Sequence, residues 1–357
     1  HSVPRILLSL GALCLLVAAV IFLAVAWSWL GVGGRTTVLV ALTATAGGLG
    51  VRFGRTDLRV AAESLVTVAL GLLMLDLAGA QDAEFTLKFA TVAPAGTPWT
   101  EQLEAIKKRV EAESEGRIKF KLYPSGNLGG EVETVRKARR NQIQGWGGST
   151  AAVAEGLSLP QFQVFELPFL FESSEEADYV LDEHLWPDMY ALLQQNGFEM
   201  AQWHENGWHS FASKTKPIHT PADLQEMKMR SQESPVHLAM YKALNTQAIS
   251  MPVPEVLGAL QTNMVDGFSN TPLFTAATGW YEGVSYYTIT NHIYQPASIM
   301  YNKEFFDSLP QDLQQILIGD RAAETRNGRA NVRALTPELL EMFVDSGITI
   351  YEMTPEE

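Results

Sequence analysis

The chain has 357 residues, which is enough to bury a large core and to divide into more than one domain. Its formal net charge of −14 argues against a nucleic-acid-binding protein, because contact with phosphates needs a basic surface. A single cysteine, Cys14, excludes an internal disulfide and a cysteine-rich metal site. The sequence contains neither a GxxxxGK(S/T) phosphate loop nor a GxSxG nucleophile motif. We therefore expect no catalysis, no cofactor and no metal.

The distribution of charge divides the chain near residue 80. Residues 1–80 contain five Arg, no Lys and three acidic residues, whereas residues 81–357 carry the other 37 acidic residues. Ile6 to Val32 is uncharged and apolar, long enough to span a bilayer, and two weaker apolar stretches follow it. We predict two or three hydrophobic helices here, which loosely resemble part of a multi-span bacterial membrane protein. The chain begins at His1 rather than Met, so we expect its N-terminus to be a fragment.

The end of this apolar segment also has the layout of a signal peptide. Arg52, Arg55 and Arg59 precede an apolar run over 61–80, and Ala78-Gly79-Ala80 fits an A-x-A cleavage site. A membrane anchor, an export signal and a mis-joined gene all fit this pattern. If residues 1–80 are a membrane anchor or an export signal, the chain after residue 80 lies outside the cytoplasm, in the periplasm of a bacterium. It is then attached to the membrane if residues 1–80 are retained.

After residue 81, strand-like and helix-like segments alternate. Phe85 to Val92 and Arg117 to Tyr123 show the alternation of strands, and Thr97-Pro98 predicts the start of a helix. Ser173 and Glu176 fit a capping box. The same criteria predict a helix opened by Gly129 and Gly130 and strands at 143–146, 198–204, 209–214, 227–231, 247–250 and 347–351. This order predicts an α/β fold with a largely parallel sheet.

The stretch from Met227 to Pro272 holds the strongest candidates for a binding site. Ser234 and Pro235 predict the N-cap and first residue of a helix between two strands. Arg230 and Asn270 are each expected at a strand end, where open α/β sheets bind ligands. A guanidinium binds a carboxylate through two parallel hydrogen bonds, and an amide both donates and accepts. The alternatives are a salt bridge for Arg230 and a turn for Asn270.

Five motifs in this order resemble the solute-binding proteins of tripartite ATP-independent periplasmic (TRAP) transporters. They are NLGGEVETVRKAR at 127–139, LPFLF at 167–171, KMR at 228–230, ALQTNMVDGFSNTP at 259–272 and TNHIYQPASIMYNKEFFDSLP at 290–310. The resemblance implies a two-lobed periplasmic-binding-protein fold with a hinge. It also implies that Arg230 clamps the carboxylate of a small organic acid, that Asn270 bonds the ligand, and that the permease membrane subunits are the partner.

The resemblance divides the chain after residue 80 into two lobes that are each built from two segments. The segments are 81–206 and 298–335 for the first lobe, and 207–297 and 336–357 for the second. We expect the chain to cross between lobes near 206–208 and again near 295–299. A helix is predicted to end near Arg333, and a new one to begin at Thr336 and Pro337. Because the family usually continues past this point, the C-terminus is expected to be truncated.

Trp208, His209 and Ser210 lie where many members of the family carry a second arginine. A neutral histidine offers one donor and binds a second carboxylate weakly, so the resemblance favours a monocarboxylate with an apolar body. His209 fits an ordinary strand histidine equally well. Trp146, Trp203 and Trp208 are predicted to line an apolar wall of the cleft, although tryptophan is more often a core residue.

Two other functions stay open at this point. A membrane-tethered sensor uses the same fold to signal that a ligand is bound, and the apolar N-terminal segment motivates it. An enzyme of the α/β class consumes its ligand, whereas a binding protein returns it intact.

Overall fold

The computed structural model describes residues 44–45 and 84–354. The predicted hydrophobic helices and cleavage site in residues 1–80 lie outside the described residues, apart from 44–45. Within the described part, no helix combines the length and the apolar character needed to cross a bilayer. The chain divides at Glu84, and the unit from Phe85 onward is the one described below.

Strands and helices alternate from the start of this unit. They are β1 (Phe85–Thr91), α1 (Pro98–Glu113), β2 (Ile118–Tyr123), α2 (Glu131–Arg139), β3 (Gly145–Ser149), α3 (Thr150–Leu157), α4 (Ser174–Tyr179) and α5 (Trp186–Gln195). Thr97 caps α1 and Ser173 caps α4, as predicted. A π-helical turn over Val180–Leu185 links α4 to α5, and Pro187 lies in the first turn of α5, where a backbone N–H is not needed for a helical hydrogen bond.

The next part of the chain begins with a long strand that both lobes share and continues into the second lobe. Its elements are β4 (Phe198–Ser213), β5 (Lys228–Ser231), α6 (Pro235–Ala243), β6 (Gln247–Ser250), α7 (Val256–Gln261), β7 (Gly267–Asn270) and α8 (Pro272–Ala277). Ser234 caps α6 as predicted. The two strands predicted at 198–204 and 209–214 are one strand, because an irregularity between Glu205 and Gly207 absorbs the expected break without ending the pairing.

The chain then returns through a second long strand. The remaining elements are β8 (Tyr286–Asn302), α9 (Lys303–Ser308), α10 (Gln311–Ile318), α11 (Arg321–Asp345) and β9 (Thr349–Glu352). The prediction of a helix break at Thr336 and Pro337 is wrong, since α11 continues through Pro337. Val332 packs in a core cluster of the first lobe and Phe343 in one of the second, so tertiary packing holds the helix on both sides of the proline.

One mixed sheet joins the two lobes. Its strand order is β2-β1-β3-β8-β4-β7-β5-β6, with β9 beside β8. The trio β2-β1-β3 and the trio β7-β5-β6 are each parallel. By contrast, β8 and β4 run antiparallel to each other, β8 runs antiparallel to β3, and β4 runs antiparallel to β7, whereas β9 runs parallel to β8. The sheet is therefore parallel within each lobe, as predicted, and antiparallel where the lobes meet. The fold is the expected two-lobed α/β architecture, while the residue boundaries of the lobes stay predictions.

Candidate ligand-binding site between the lobes

Arg230 lies on β5 with only 2% of its surface exposed. Its Nε and Nη2 atoms donate to the Met251 carbonyl oxygen at 3.0 and 2.9 Å, and its Cζ lies 5.2 Å from the centre of the Trp280 ring. Among the described residues, no Asp or Glu forms an ion pair with it. Burial lowers the pKa of Arg230 to about 10, so it is charged at neutral pH. A buried charge of this kind is costly unless an anion pairs with it.

Asn270 is the last residue of β7, and it lies near Arg230. Arg230 is paired with Phe268 on this neighbouring parallel strand, so Asn270 is two residues further toward the carboxyl end. Its Oδ1 accepts from the Thr271 backbone N–H at 2.8 Å. No hydrogen bond of the described residues uses its side-chain nitrogen, which leaves a donor for a ligand. The two predicted residues therefore meet at the carboxyl ends of adjacent strands.

Tyr241, on α6, adds a group that the sequence did not indicate. Its side chain is fully buried, and its hydroxyl has no hydrogen-bond partner among the described residues, although Ser269 lies next to it. Burial raises the pKa of Tyr241, and the nearby charge of Arg230 opposes this rise. The hydroxyl is thus a neutral donor and acceptor within electrostatic range of the guanidinium.

A buried hydrogen bond network joins the lobes beside these residues. Gln232 of the second lobe donates from Nε2 to Ser149 Oγ at 2.9 Å and to Glu131 Oε2 at 3.3 Å, both in the first lobe. The Ser149 backbone N–H in turn donates to Glu131 Oε1 at 2.9 Å. Burial raises the pKa of Glu131 to about 7, while bonds from Ser149 and the charge of Arg230 act in the opposite direction.

A second bridge crosses the cleft at Glu166, which belongs to the first lobe. His237 Nε2 on α6 lies 2.9 Å from Glu166 Oε2, and Gln295 Nε2 donates to the same oxygen at 2.7 Å. Gln295 also donates to Gln232 Oε1 at 2.8 Å, so the two bridges are connected. Burial acts to raise the pKa of Glu166, but the hydrogen bonds from His237, Gln295 and Thr150 lower it overall.

The two lobes approach each other closely beside these bridges. A Cβ atom on Gly130 would lie 3.1 Å from Pro252 Cβ, and one on Gly126 would lie 3.2 Å from Pro254 Cγ. Each glycine belongs to the loop before α2 in the first lobe, and each proline follows β6 in the second. A larger residue at either position would need the facing proline ring to move by a few tenths of an ångström, so this approach is the one expected of a closed cleft.

His209 is also fully buried, and its ring centre lies 5.5 Å from that of His237, which belongs to the bridge at Glu166. Its Nδ1 lies 3.1 Å from Ser269 Oγ, and the same oxygen lies 3.0 Å from His292 Nε2. Ser269 is also the neighbour of the Tyr241 hydroxyl. Burial and the neighbouring His237 lower the pKa of His209 to about 3, so the ring is neutral. Its role in ligand binding stays a prediction.

Of the three tryptophans predicted to line the cleft, two lie in the apolar core of the first lobe and one lines a separate pocket. Trp146 and Trp203 are fully buried in the apolar core of the first lobe, and the Trp146 indole N–H donates to Thr134 Oγ1 at 3.0 Å. Trp208 is half-buried and donates to Ser174 Oγ at 2.9 Å. It lines a pocket of about 480 Å³ that none of Arg230, Asn270 and His209 lines. Across residues 44–45 and 84–354, no group of three or more His, Cys, Asp or Glu is arranged to hold a metal ion.

Comparison with known protein families agrees with this architecture. Residues 89–357 match the family model of bacterial extracellular solute-binding protein, family 7, named DctP. The chain belongs to this family. Its members are solute-binding components of transport systems, and the TRAP resemblance predicted from five motifs is confirmed.

Three similar proteins place the chain within the family. A solute-binding protein of Verminephrobacter eiseniae is 31% identical over 64% of this chain and 68% of its own length. The 2,3-diketo-L-gulonate-binding periplasmic protein of Escherichia coli is 27% identical over 68% of this chain and 73% of its own. The sugar acid binding protein of Advenella mimigardefordensis, solved in complex with galactonate, is 27% identical, with a TM-score of 0.74 over 77% of this chain and 89% of its own.

Proposed function

We propose that this chain is the extracytoplasmic binding subunit of a TRAP transporter and that it captures a hydroxylated monocarboxylate between its lobes. Membership of a solute-binding family supports the binding role. The inference that the ligand is acidic depends on Arg230. This residue is a buried guanidinium at a strand end, and no acidic residue among those described forms an ion pair with it. A ligand carboxylate supplies the missing anion.

The groups around the guanidinium favour a hydroxylated ligand. Tyr241 presents a hydroxyl without a partner among the described residues, and Asn270 presents a side-chain nitrogen. These polar surroundings replace our expectation of an apolar ligand body, since apolar atoms there would leave buried polar groups unsatisfied. The relatives named for 2,3-diketo-L-gulonate and solved with galactonate support a sugar acid.

The charges at the cleft favour one carboxylate rather than two. Arg230 provides a single fork, whereas Glu131 and Glu166 lie buried on the facing lobe. A second carboxylate on a small ligand would approach these two acids and be repelled by a deprotonated side chain. We therefore place a hydroxylated body, and not a second acid, on the side of the first lobe.

Closure of the lobes completes the transport role. Ligand enters an open cleft, Arg230 captures its carboxylate, and rotation about the strands β4 and β8 brings Gln232 to Ser149. The membrane subunits of the permease then receive the closed form. Like the resemblance to TRAP transporters, this role implies an ion-driven secondary transporter and no ATPase.

Calorimetric titration of the full chain tests the ligand class. We expect galactonate to bind at least a hundredfold more tightly than galactose, which has a similar hydroxylated body and no carboxylate. Succinate, a dicarboxylate without hydroxyls, is expected to bind more weakly than galactonate. Equal affinities for galactonate and galactose would remove the proposed role of Arg230. Recovery of chemically unchanged galactonate after incubation distinguishes binding from turnover.

A further inference from the structure

An apolar surface lies on the first lobe at the loop before α4. Four of the seven large apolar side chains that are exposed among the described residues come from this short stretch: Val164 at 49%, Leu167 at 42%, Phe169 at 74% and Leu170 at 40%. Single exposed apolar residues are common, but a contiguous group marks an interaction surface.

The backbone holds the Phe169 ring out in solvent. Phe169 has a φ of 58°, which is uncommon for a bulky residue and costs free energy. Its backbone N–H donates to the His292 carbonyl oxygen of β8 at 2.8 Å, which fixes this conformation. The positive φ and this hydrogen bond therefore hold the Phe169 ring in its exposed position.

A pocket of about 480 Å³ lies beside this ring, and both lobes contribute to it. Phe171 and Glu172 come from the loop of the first lobe, Trp208 from the strand that crosses between lobes, and Thr290 and Asn291 from β8, at the irregularity between its pairings with His209 and Phe211 of β4. Because these walls come from a loop of the first lobe and from the two long strands that join the lobes, we expect the shape of the pocket to change when one lobe rotates against the other.

Acidic side chains without a basic partner lie beside the pocket. The sequence contains no Lys or Arg between Arg140 and Lys214, a stretch that includes the whole loop. Glu172, Glu175 and Glu176 are exposed beside the pocket, and none of them forms an ion pair with Lys or Arg among the described residues. An apolar partner group flanked by Lys or Arg complements this surface in both respects.

We propose that residues 164–170 and the pocket at Trp208 form the surface on which the membrane subunits of the permease recognise the closed, loaded chain. The permease contributes an apolar side chain to the pocket and basic residues to Glu172 and its acidic neighbours. This inference rests on the proposed transport function. It goes beyond that function because it says where the partner binds and why only the closed arrangement of lobes offers the site.

Transport by the full chain and its cognate permease in proteoliposomes, with radiolabelled galactonate, tests this surface. Phe169→Gly removes the ring and suits the positive φ, so the fold is kept. We expect its transport rate to fall at least tenfold, while its Kd for galactonate stays within twofold of the parent. Phe169→Leu restores an apolar group and is expected to recover most of the rate. Met264→Ser is the matched control, because Met264 is 53% exposed elsewhere.

Charge reversal provides a second arm. Glu172→Lys combined with Glu175→Lys is expected to slow transport at least fivefold without changing the Kd for galactonate. Transport by Phe169→Gly at the parent rate would overturn the inference. So would an equal loss of galactonate affinity, or an equal effect of Met264→Ser. A parent chain that binds galactonate but gives no transport with the permease refutes the proposed partner itself, which separates that failure from a failure of this surface.

Discussion

Arg230 donates from both Nε and Nη2 to one acceptor, the carbonyl oxygen of Met251. This shared acceptor at the end of β6 fixes the plane of the guanidinium before any ligand arrives. Nη1 makes no hydrogen bond among the described residues, so the outer edge of the fork stays available for a carboxylate. A side chain held in this way loses little conformational freedom when the ligand binds.

Replacing Arg230 should weaken ligand binding without lowering the free energy of unfolding. Arg230→Met removes a buried charge, so we expect the free energy of unfolding of the ligand-free protein to be unchanged or higher. Binding of galactonate should weaken by at least a hundredfold, since charge-assisted hydrogen bonds each contribute about 1.5–3 kcal/mol. Urea denaturation and calorimetry measure the two quantities. Arg139→Met, at an exposed position, is the control. A variant that unfolds more easily and still binds would contradict the assignment.

Asn270 tests the second contact with the ligand. Asn270→Asp preserves the acceptor for the Thr271 N–H but replaces the free nitrogen by a charged oxygen. We expect at least a tenfold loss of galactonate affinity, because the new carboxylate competes for Arg230 and repels the ligand. Asn327→Asp, at an exposed position on α11, should bind as the parent does. Equal affinities for the parent and Asn270→Asp would show that Asn270 does not contact the ligand.

Glu131 should make stability fall as pH rises. Its pKa is raised from 4.5 to about 7 in the folded state, mainly by burial. The folded chain therefore binds more protons than the unfolded chain between these values, and it loses stability as pH rises through that window. The loss is on the order of 3 kcal/mol, at about 1.4 kcal/mol per pKa unit. Glu131→Gln does not titrate, so its unfolding free energy should change less between pH 5 and pH 8. Parallel pH profiles would sink this prediction.

His209 should make stability fall as pH decreases, which is opposite to the effect of Glu131 and occurs at lower pH. Burial lowers its pKa from 6.5 to about 3, so the folded protein keeps the ring neutral. Stability is present above pH 6.5 and is lost as pH falls toward 3, at about 1.4 kcal/mol per pH unit from this group. His209→Asn should therefore lose less stability between pH 6 and pH 4 than the parent, as followed by denaturant titration. His184→Asn, which changes an exposed histidine, is the control.

The bridge from Gln232 to the first lobe should stabilise the closed arrangement of the lobes. Gln232→Leu removes the donor to Ser149 and Glu131 and leaves both polar groups without this partner. At a galactonate concentration that half-saturates the parent, we expect the variant to be open more often than the parent, which small-angle X-ray scattering detects as a larger radius of gyration. Saturating galactonate should return it toward the parent value. An identical radius for parent and variant at the same galactonate concentration would mean that other contacts control closure.

Local patterns predicted much of this structure because they depend on neighbouring residues. The caps at Thr97, Ser173 and Ser234 satisfy backbone donors within three residues, so the sequence displays them directly. The positions of Arg230 and Asn270 at the ends of two strands followed from the strand patterns, whereas their roles in ligand binding stay predictions. The prediction at Pro337 was wrong because the packing of α11 against both lobes outweighs the tendency of proline to end a helix.

The remaining site residues depend on contacts between distant parts of the chain. Glu131 and Gln232 are 101 residues apart, and Gln295 reaches Glu166 across 129 residues. The periodicity of a short segment gives no information about contacts between residues so far apart in the sequence. The burial of Trp146 also depends on distant residues, because it pairs with Met300 of β8 and shares a core cluster with Met200 of β4.

The long strands β4 and β8 have a consequence for how the chain folds. Each lobe needs both strands, yet β4 is made well before β8 as the chain leaves the ribosome. Neither half can complete its sheet until residues about 90 positions apart have met, and contacts of such long range slow folding. We expect one cooperative unfolding transition for both lobes, and a nascent chain that ends before residue 286 should still depend on chaperones.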